Sequence, residues 1–154
     1  MSGNSPEIDR PQLPNARVAI ISSSWHLDIC NDLVAGAQRA LKGASISNVE
    51  VIYVPGSFEI PLAAQIAFEK GFNAVVAVGL VLEGETPHFD YVCQGVTQGV
   101  MDVSLKFSSP IGFGVLMCNT LDQAIARSGR PGSSEDKGYD SAVAAIKLLQ
   151  LKEG

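Results

Sequence analysis

Residues 81–92 read Val-Leu-Glu-Gly-Glu-Thr-Pro-His-Phe-Asp-Tyr-Val and gather several groups with chemical potential into one short stretch. Thr86 is a good helix N-cap. Pro87 suits a first helical position, where its missing N–H has no intrahelical partner anyway, and Asp90 complements the positive helix end. His88 therefore falls in a first helical turn, where the dipole disfavours the imidazolium and leaves a neutral imidazole able to accept a proton near physiological pH. The N–H groups of Gly84, Glu85 and Thr86 beside it form the kind of setting that holds phosphate. An acid/base histidine next to a phosphate cradle points to chemistry on a small phosphorylated molecule. The blander reading is a capped helix after a glycine turn, with a solvated histidine.

Other residues carry the same double reading. Trp25 is the only tryptophan and sits in Ser22-Ser23-Ser24-Trp25-His26, after a strand. An indole there either covers a sheet edge or stacks on a planar heterocycle, a contact worth about 0.5–1.5 kcal/mol beyond the area it buries. Glu59 is either a surface carboxylate favoured by a helix start or an acceptor for hydroxyl groups, with the N–H groups of Phe58 and Glu59 open to a carbonyl. Arg127 and Lys137 are ordinary solvated charges by default. Both flank a glycine-rich bend, however, and a phosphate needs cations as well as backbone donors. There is no Gly-x-Gly-x-x-Gly or Walker pattern, no Ser/His/Asp nucleophile signature, and no metal-ligand spacing among the two histidines and three cysteines, so metal: none is the expectation. Tyr139, Met101 and Met117 are most simply structural.

These groups have to be positioned by a regular scaffold. Strands are expected over residues 17–21, 49–54, 74–80 and 111–117, the third being a short, valine-rich run of the kind buried on both faces. Helices are expected over residues 28–42, from Ser57 to 70 with Gly71 as its stop, 87–107, 121–128 and 140–152. In the first of these Ile29, Leu33, Val34, Ala37 and Leu41 recur at helical spacing and mark the buried face. Alternation of four strands with helices predicts an α/β three-layer sandwich: a four-stranded parallel sheet, flavodoxin-like, with helices on both faces. Ligands of such folds bind beyond the carboxyl ends of the strands. Residues 22–26, 56–59, 82–88 and Asn119 all belong to those ends.

Length and composition fit one domain. The chain has 154 residues, 46% of them hydrophobic, and a net charge of −5, which suits a globular domain with a real core and disfavours nucleic acid as a partner. Residues 1–16 contain Pro6, Pro11 and Pro14. They are expected to be an extended or disordered arm, or one lying on a neighbouring subunit. They lack the apolar core of a signal peptide, and no run is long enough to span a bilayer, so a cytoplasmic protein with no membrane association is expected. Cys30, Cys93 and Cys118 read as buried thiols of a reducing compartment.

Taken together, Ser24-Trp25-His26, Pro55-Gly56-Ser57-Phe58-Glu59-Ile60-Pro61, Gly84-x-Thr86-Pro87-His88-Phe89-Asp90-Tyr91-Val92, Gln123-Ala124-x-x-Arg127 and Asp136-Lys137-Gly138 resemble the 6,7-dimethyl-8-ribityllumazine synthase family. The likeness covers nearly the whole chain beyond the arm. It implies condensation of 5-amino-6-(D-ribitylamino)uracil with 3,4-dihydroxy-2-butanone 4-phosphate, a step of riboflavin biosynthesis that releases phosphate and water and uses no cofactor. By this resemblance Trp25 stacks on the pyrimidine, while Ser57, Phe58 and the Val81–Leu82 backbone hold its polar edge. Glu59 binds the ribityl chain, His88 transfers protons, and Thr86, Arg127 and the Glu85 backbone hold the phosphate. Phe113, Arg127 and Lys137 would come from the adjacent subunit of a homopentamer, and the long 128–138 loop resembles that of pentamers which do not build shells. Two positions depart from the pattern: relatives often carry Arg or Lys where Glu83 stands, and a neutral residue in place of Glu85. Both carboxylates are expected to point outward. The alternatives are a riboflavin synthase of the archaeal kind, which would act on lumazine alone, and a non-catalytic flavin or lumazine carrier, which would release no phosphate.

Overall fold

The computed structural model describes residues 12–154. Four strands, β1 (Arg17–Ser23), β2 (Asn48–Val54), β3 (Ala74–Leu82) and β4 (Ile111–Cys118), form one sheet in the order β2-β1-β3-β4. All pairs are parallel, with Arg17 opposite Asn48, Val18 opposite Ala74 and Val75 opposite Ile111. The helices are α1 (Leu27–Gly43), α2 (Ile60–Glu69), α3 (His88–Phe107), α4 (Leu121–Arg127) and α5 (Lys137–Glu153). This is the expected flavodoxin-like α/β sandwich, and its strand order reverses direction between β1 and β3.

The layers follow from the side-chain alternation of β3. Val76, Val78 and Leu80 pack with α1 and α5 on one face, whereas Val75 and Ala77 pack with α2 and α3 on the other. Full burial of each such valine or leucine contributes about 1.5–3 kcal/mol, so a strand apolar on both faces belongs at the centre of the sheet. All five residues expected on the inner face of α1 are buried: Ile29, Leu33, Val34, Ala37 and Leu41. Gly138 sits where α5 meets the backbone of Leu33 in α1, leaving no room for a Cβ.

Several boundaries move. The strands run one or two residues longer at the carboxyl end or start one earlier, which lengthens the rim from which the loops depart. The last helix begins at Lys137, a turn earlier than expected, because the Asp136 side chain accepts the Tyr139 N–H at 3.2 Å and caps it. Ser57 does not cap α2. A single 3₁₀ turn, Ser57–Glu59, precedes the helix, and Ser57 is buried. Cys30 and Cys118 are buried as expected, but Cys93 is only half-buried.

The arm expected over residues 1–16 falls mainly outside the described residues. Of its last residues, Leu13 donates its N–H to the Ala44 carbonyl at 2.9 Å and Ala16 is buried. Among the described residues no helix is long and apolar enough to cross a membrane.

Candidate active site

The loops leaving β1, β2 and β3 enclose a cavity of about 790 Å³ above the β1/β3 reversal, the position where open α/β sheets bind ligands. Its size suits a small-molecule ligand. Eight of the expected residues line it: Trp25, Ser57, Phe58, Glu59, Val81, Leu82, Thr86 and His88. Three of the four strand-end segments thus converge. The fourth does not, since Asn119 directs its N–H to the Gln123 side chain at the start of α4.

The Trp25 wall is shaped by its backbone. His26 adopts a left-handed conformation, φ 52°, and its carbonyl then accepts the N–H groups of Ile29 and Cys30 to open α1. A non-glycine residue pays roughly 1 kcal/mol or more for that conformation. The consequence is that Trp25 stands out of the sheet, 68% exposed, with its carbonyl receiving the Cys30 thiol at 3.2 Å. Ser24 ties this loop to the next one by donating to the Val54 carbonyl at 2.8 Å. Phe58, which also lines the cavity, is 61% exposed, with its ring beside Gly95 of α3. An exposed indole on the cavity lip can stack on a flat ring.

Ser57, which lines the cavity, is buried close to Ser23, which does not line it. The Ser23 hydroxyl accepts the Leu80 N–H at 3.3 Å, and the buried Ser57 hydroxyl has no hydrogen-bond partner among the described residues. A buried, unpartnered hydroxyl costs about 1–3 kcal/mol. Gly79 makes room for both, because a Cβ there would lie 2.6 Å from the Ser23 oxygen and 2.9 Å from that of Ser57.

Opposite stands the start of α3. Pro87 already has helical dihedrals, and the helix proper begins at His88, one residue later than expected. Thr86 still contributes at the entry: its hydroxyl oxygen accepts the His88 N–H at 3.4 Å, a long and weak bond. The fixed φ of Pro87 brings the chain into the helical region before Thr86 can form a shorter cap. His88 is exposed and faces the cavity. Glu83 and Glu85 are both exposed, and neither side chain lines the cavity.

The remaining expected residues form a separate group. Phe113 lies on the edge strand β4, 41% exposed. Arg127 ends α4 and Lys137 begins α5, and neither lines the cavity of its own chain. Glu135 joins the two: Arg127 Nε lies 3.4 Å from one carboxylate oxygen and Lys137 Nζ 3.3 Å from the other. The loop carrying Glu135 is anchored on α1 by Arg130, whose guanidinium reaches Asp32 at 2.8 Å and Asp28 at 3.4 Å, and by an Arg39–Asp136 ion pair. The chain therefore holds a cavity lined by aromatic residues and His88 in one region and a cationic pair in another.

A family model described as 6,7-dimethyl-8-ribityllumazine synthase matches residues 15–153. The 6,7-dimethyl-8-ribityllumazine synthase of Streptomyces coelicolor is 49% identical over 147 residues, covering 95% of this chain and 91% of that one. The protein of the same name from Arthrobacter sp. is 49% identical over 152 residues, with 95% and 94% covered. One from Mycobacterium sp. is 45% identical over 156 residues, with 100% and 97% covered. The chain belongs to this family. The matches do not favour the archaeal riboflavin synthase or carrier readings.

Within this lumazine synthase family member, His26, Phe89, Tyr91 and Val92 also line the cavity; the sequence motifs contain them, but sequence reasoning assigned them no role in the site. Tyr91 and Val92 occupy the helical positions three and four residues after His88, the spacing that puts side chains on one helix face, and this is the signal that would have found them. His26 gives no such signal, since its direction depends on the left-handed turn. The three thiols have pKa values raised above the ordinary one by burial. Asp28 adds to the effect at Cys30 and Asp90 at Cys93, while Arg127 opposes it at Cys118. Among the described residues there is no group of three or more His, Cys, Asp and Glu placed to hold a metal ion.

Proposed function

We propose that this chain condenses 5-amino-6-(D-ribitylamino)uracil with 3,4-dihydroxy-2-butanone 4-phosphate, forming 6,7-dimethyl-8-ribityllumazine in riboflavin biosynthesis. The observation that carries the reading is the gathering of Trp25, Glu59 and His88 around one cavity, in a chain of this family. Trp25 stacks on the pyrimidine ring, with Ser57, Phe58 and the backbone at Val81 and Leu82 at its polar edge. Glu59 accepts hydrogen bonds from the ribityl hydroxyls.

The 5-amino nitrogen attacks the ketone carbon, and loss of water gives an imine. A proton then leaves the adjacent carbon, phosphate departs with its bonding electrons, and the resulting enol becomes a ketone. The ribityl-bearing nitrogen attacks that ketone, and loss of a second water closes the ring. Protons move at every stage, and His88 at the cavity wall is the group to carry them, a contribution typically of about 10²–10⁴. Both reactants are already reactive, so holding them together supplies much of the remaining acceleration.

The phosphate needs cations, and those of its own chain lie elsewhere. In this reading a neighbouring subunit supplies Arg127, Lys137 and Phe113, completing each site at an interface of a homopentamer. Exposed apolar residues support association: α2 and α3 pack side by side and expose Leu62, Ile66, Met101 and Leu105. Such surfaces mark contact sites when they are extensive.

Incubation of the protein with both substrates should release inorganic phosphate and produce the lumazine absorbance together. Release of no phosphate, or turnover of lumazine by itself, would overturn the assignment. Light scattering tests the ring. The shared site has its own test: co-refolded His88→Ala and Arg127→Ala subunits should exceed the mean activity of the two parent assemblies, because some junctions then pair an intact histidine with an intact arginine.

A further inference from the structure

The two cations assigned to the anion end of the site are not independent. Glu135 stands between them with its side chain only 14% exposed, one oxygen toward Arg127 Nε at 3.4 Å and the other toward Lys137 Nζ at 3.3 Å. Charge-assisted hydrogen bonds are normally 2.7–2.9 Å long. The second oxygen, although within ion-pair distance of Lys137, is buried without a hydrogen-bond partner among the described residues. A carboxylate removed from water and held only by long contacts is poorly compensated. Its place in the loop is nevertheless fixed: the Glu135 N–H donates to the Ala126 carbonyl at 3.0 Å, and its own carbonyl accepts the Gly129 N–H at 3.1 Å.

We propose that Glu135 is a positioning residue for the anion site, an internal counter-ion that holds Arg127 and Lys137 side by side and competes with phosphate for their charge. The inference rests on the reading above, in which these cations meet the phosphorylated substrate. A bound phosphate takes contacts that Glu135 relinquishes. Affinity for the anion is thereby held down, which assists departure of the phosphate released in each cycle. The backbone bonds of Glu135 keep the loop in place while its side chain gives up the cations, so the two roles do not conflict.

The test is titration of the assembled protein with inorganic phosphate by calorimetry at low ionic strength. Glu135→Gln and Glu135→Ser both remove the charge and should lower the phosphate Kd at least threefold, whereas Glu135→Asp keeps it and should stay within twofold of the parent. A steady-state readout accompanies this: the KM for the butanone phosphate falls in the two neutral variants while inhibition by phosphate strengthens. Unchanged or weakened phosphate binding in both neutral variants overturns the proposal, since a purely structural carboxylate would loosen the site when removed. Arg127→Ala separates this failure from that of the underlying reading. If phosphate binding survives Arg127→Ala undiminished, the cations are not the anion site at all; if it is lost while the Glu135 variants stay at parent affinity, only the counter-ion role is wrong.

Discussion

Replacing Gly138 by alanine tests whether the packing of α5 on α1 positions the cationic group. A Cβ at Gly138 would lie 2.7 Å from the carbonyl carbon of Leu33 and 2.8 Å from its Cα, where ordinary contacts are 3.4–4 Å. The atoms in the way are backbone atoms, so no rotamer change relieves the overlap, and the start of α5 must retreat by more than half an ångström. Overpacking costs about 1–3 kcal/mol, and with the Leu33 carbonyl oxygen nearer still and only rigid backbone in the way the cost falls at the upper end, about 2–3 kcal/mol. Exchange of a helical glycine for alanine returns at most about 1 kcal/mol. The net loss is about 1–2 kcal/mol, which for a chain of this size lowers the Tm by about 2–8 °C. Gly84→Ala, at the cavity rim, is the control for stability alone: a Cβ there meets nothing within 4 Å, and an exposed change without strain stays within about 0.5 kcal/mol. Because Lys137 immediately precedes Gly138, the displaced helix also carries the lysine out of its place beside Arg127 at the anion site, and the KM for the phosphorylated substrate should rise severalfold in Gly138→Ala. Calorimetric scans of both variants, with initial rates, make the measurement. A Tm equal to or above that of the parent in Gly138→Ala would refute the packing argument, and a lower Tm with an unchanged KM would refute its link to the site.

Other substitutions separate the proposed roles. His88→Ala should lower kcat by roughly 10²-fold, the low end of what acid/base catalysis contributes, with little change in KM, since positioning persists without the proton carrier; steady-state kinetics showing a dead enzyme with normal binding would contradict this division. Arg127→Ala should raise the KM for the butanone phosphate by roughly ten- to a hundredfold, the worth of a charged hydrogen bond, and change kcat less. Glu85→Gln should alter phosphate affinity less than about threefold, because a carboxylate pointing into solvent is screened; tightening beyond tenfold would mean that it faces the anion. The thiols of Cys30, Cys93 and Cys118 have raised pKa values and so remain protonated at neutral pH. Native protein at pH 7.5 should therefore alkylate slowly, all three thiols reacting quickly only in denaturant, as mass spectrometry would show.

The scaffold was legible because its signals are local. The β3 run is apolar at every position and too short for a helix, and only a central parallel strand buries both of its faces. The inward positions of α1 recur at helical spacing, so its packing face followed directly. Strand ends were equally legible, and with them most of the cavity, since loops after parallel strands share one rim. What remained hidden depends on approach between segments. Gly138 reads as a loop residue in sequence, yet it lies inside α5 because the helix must come within touching distance of Leu33. Ser57 has the chemistry of a cap, but the extended backbone of Gly56 leads into a 3₁₀ turn that buries the hydroxyl beneath the cavity. Glu135 carries no motif at all. Its relation to Arg127 and Lys137 arises only when the loop closes, with Ser128 bridged to Asp136 and Arg130 fastened to α1. The residues that would touch substrate are thus readable from their neighbours in the chain, whereas the residue that would regulate their charge becomes visible only in three dimensions.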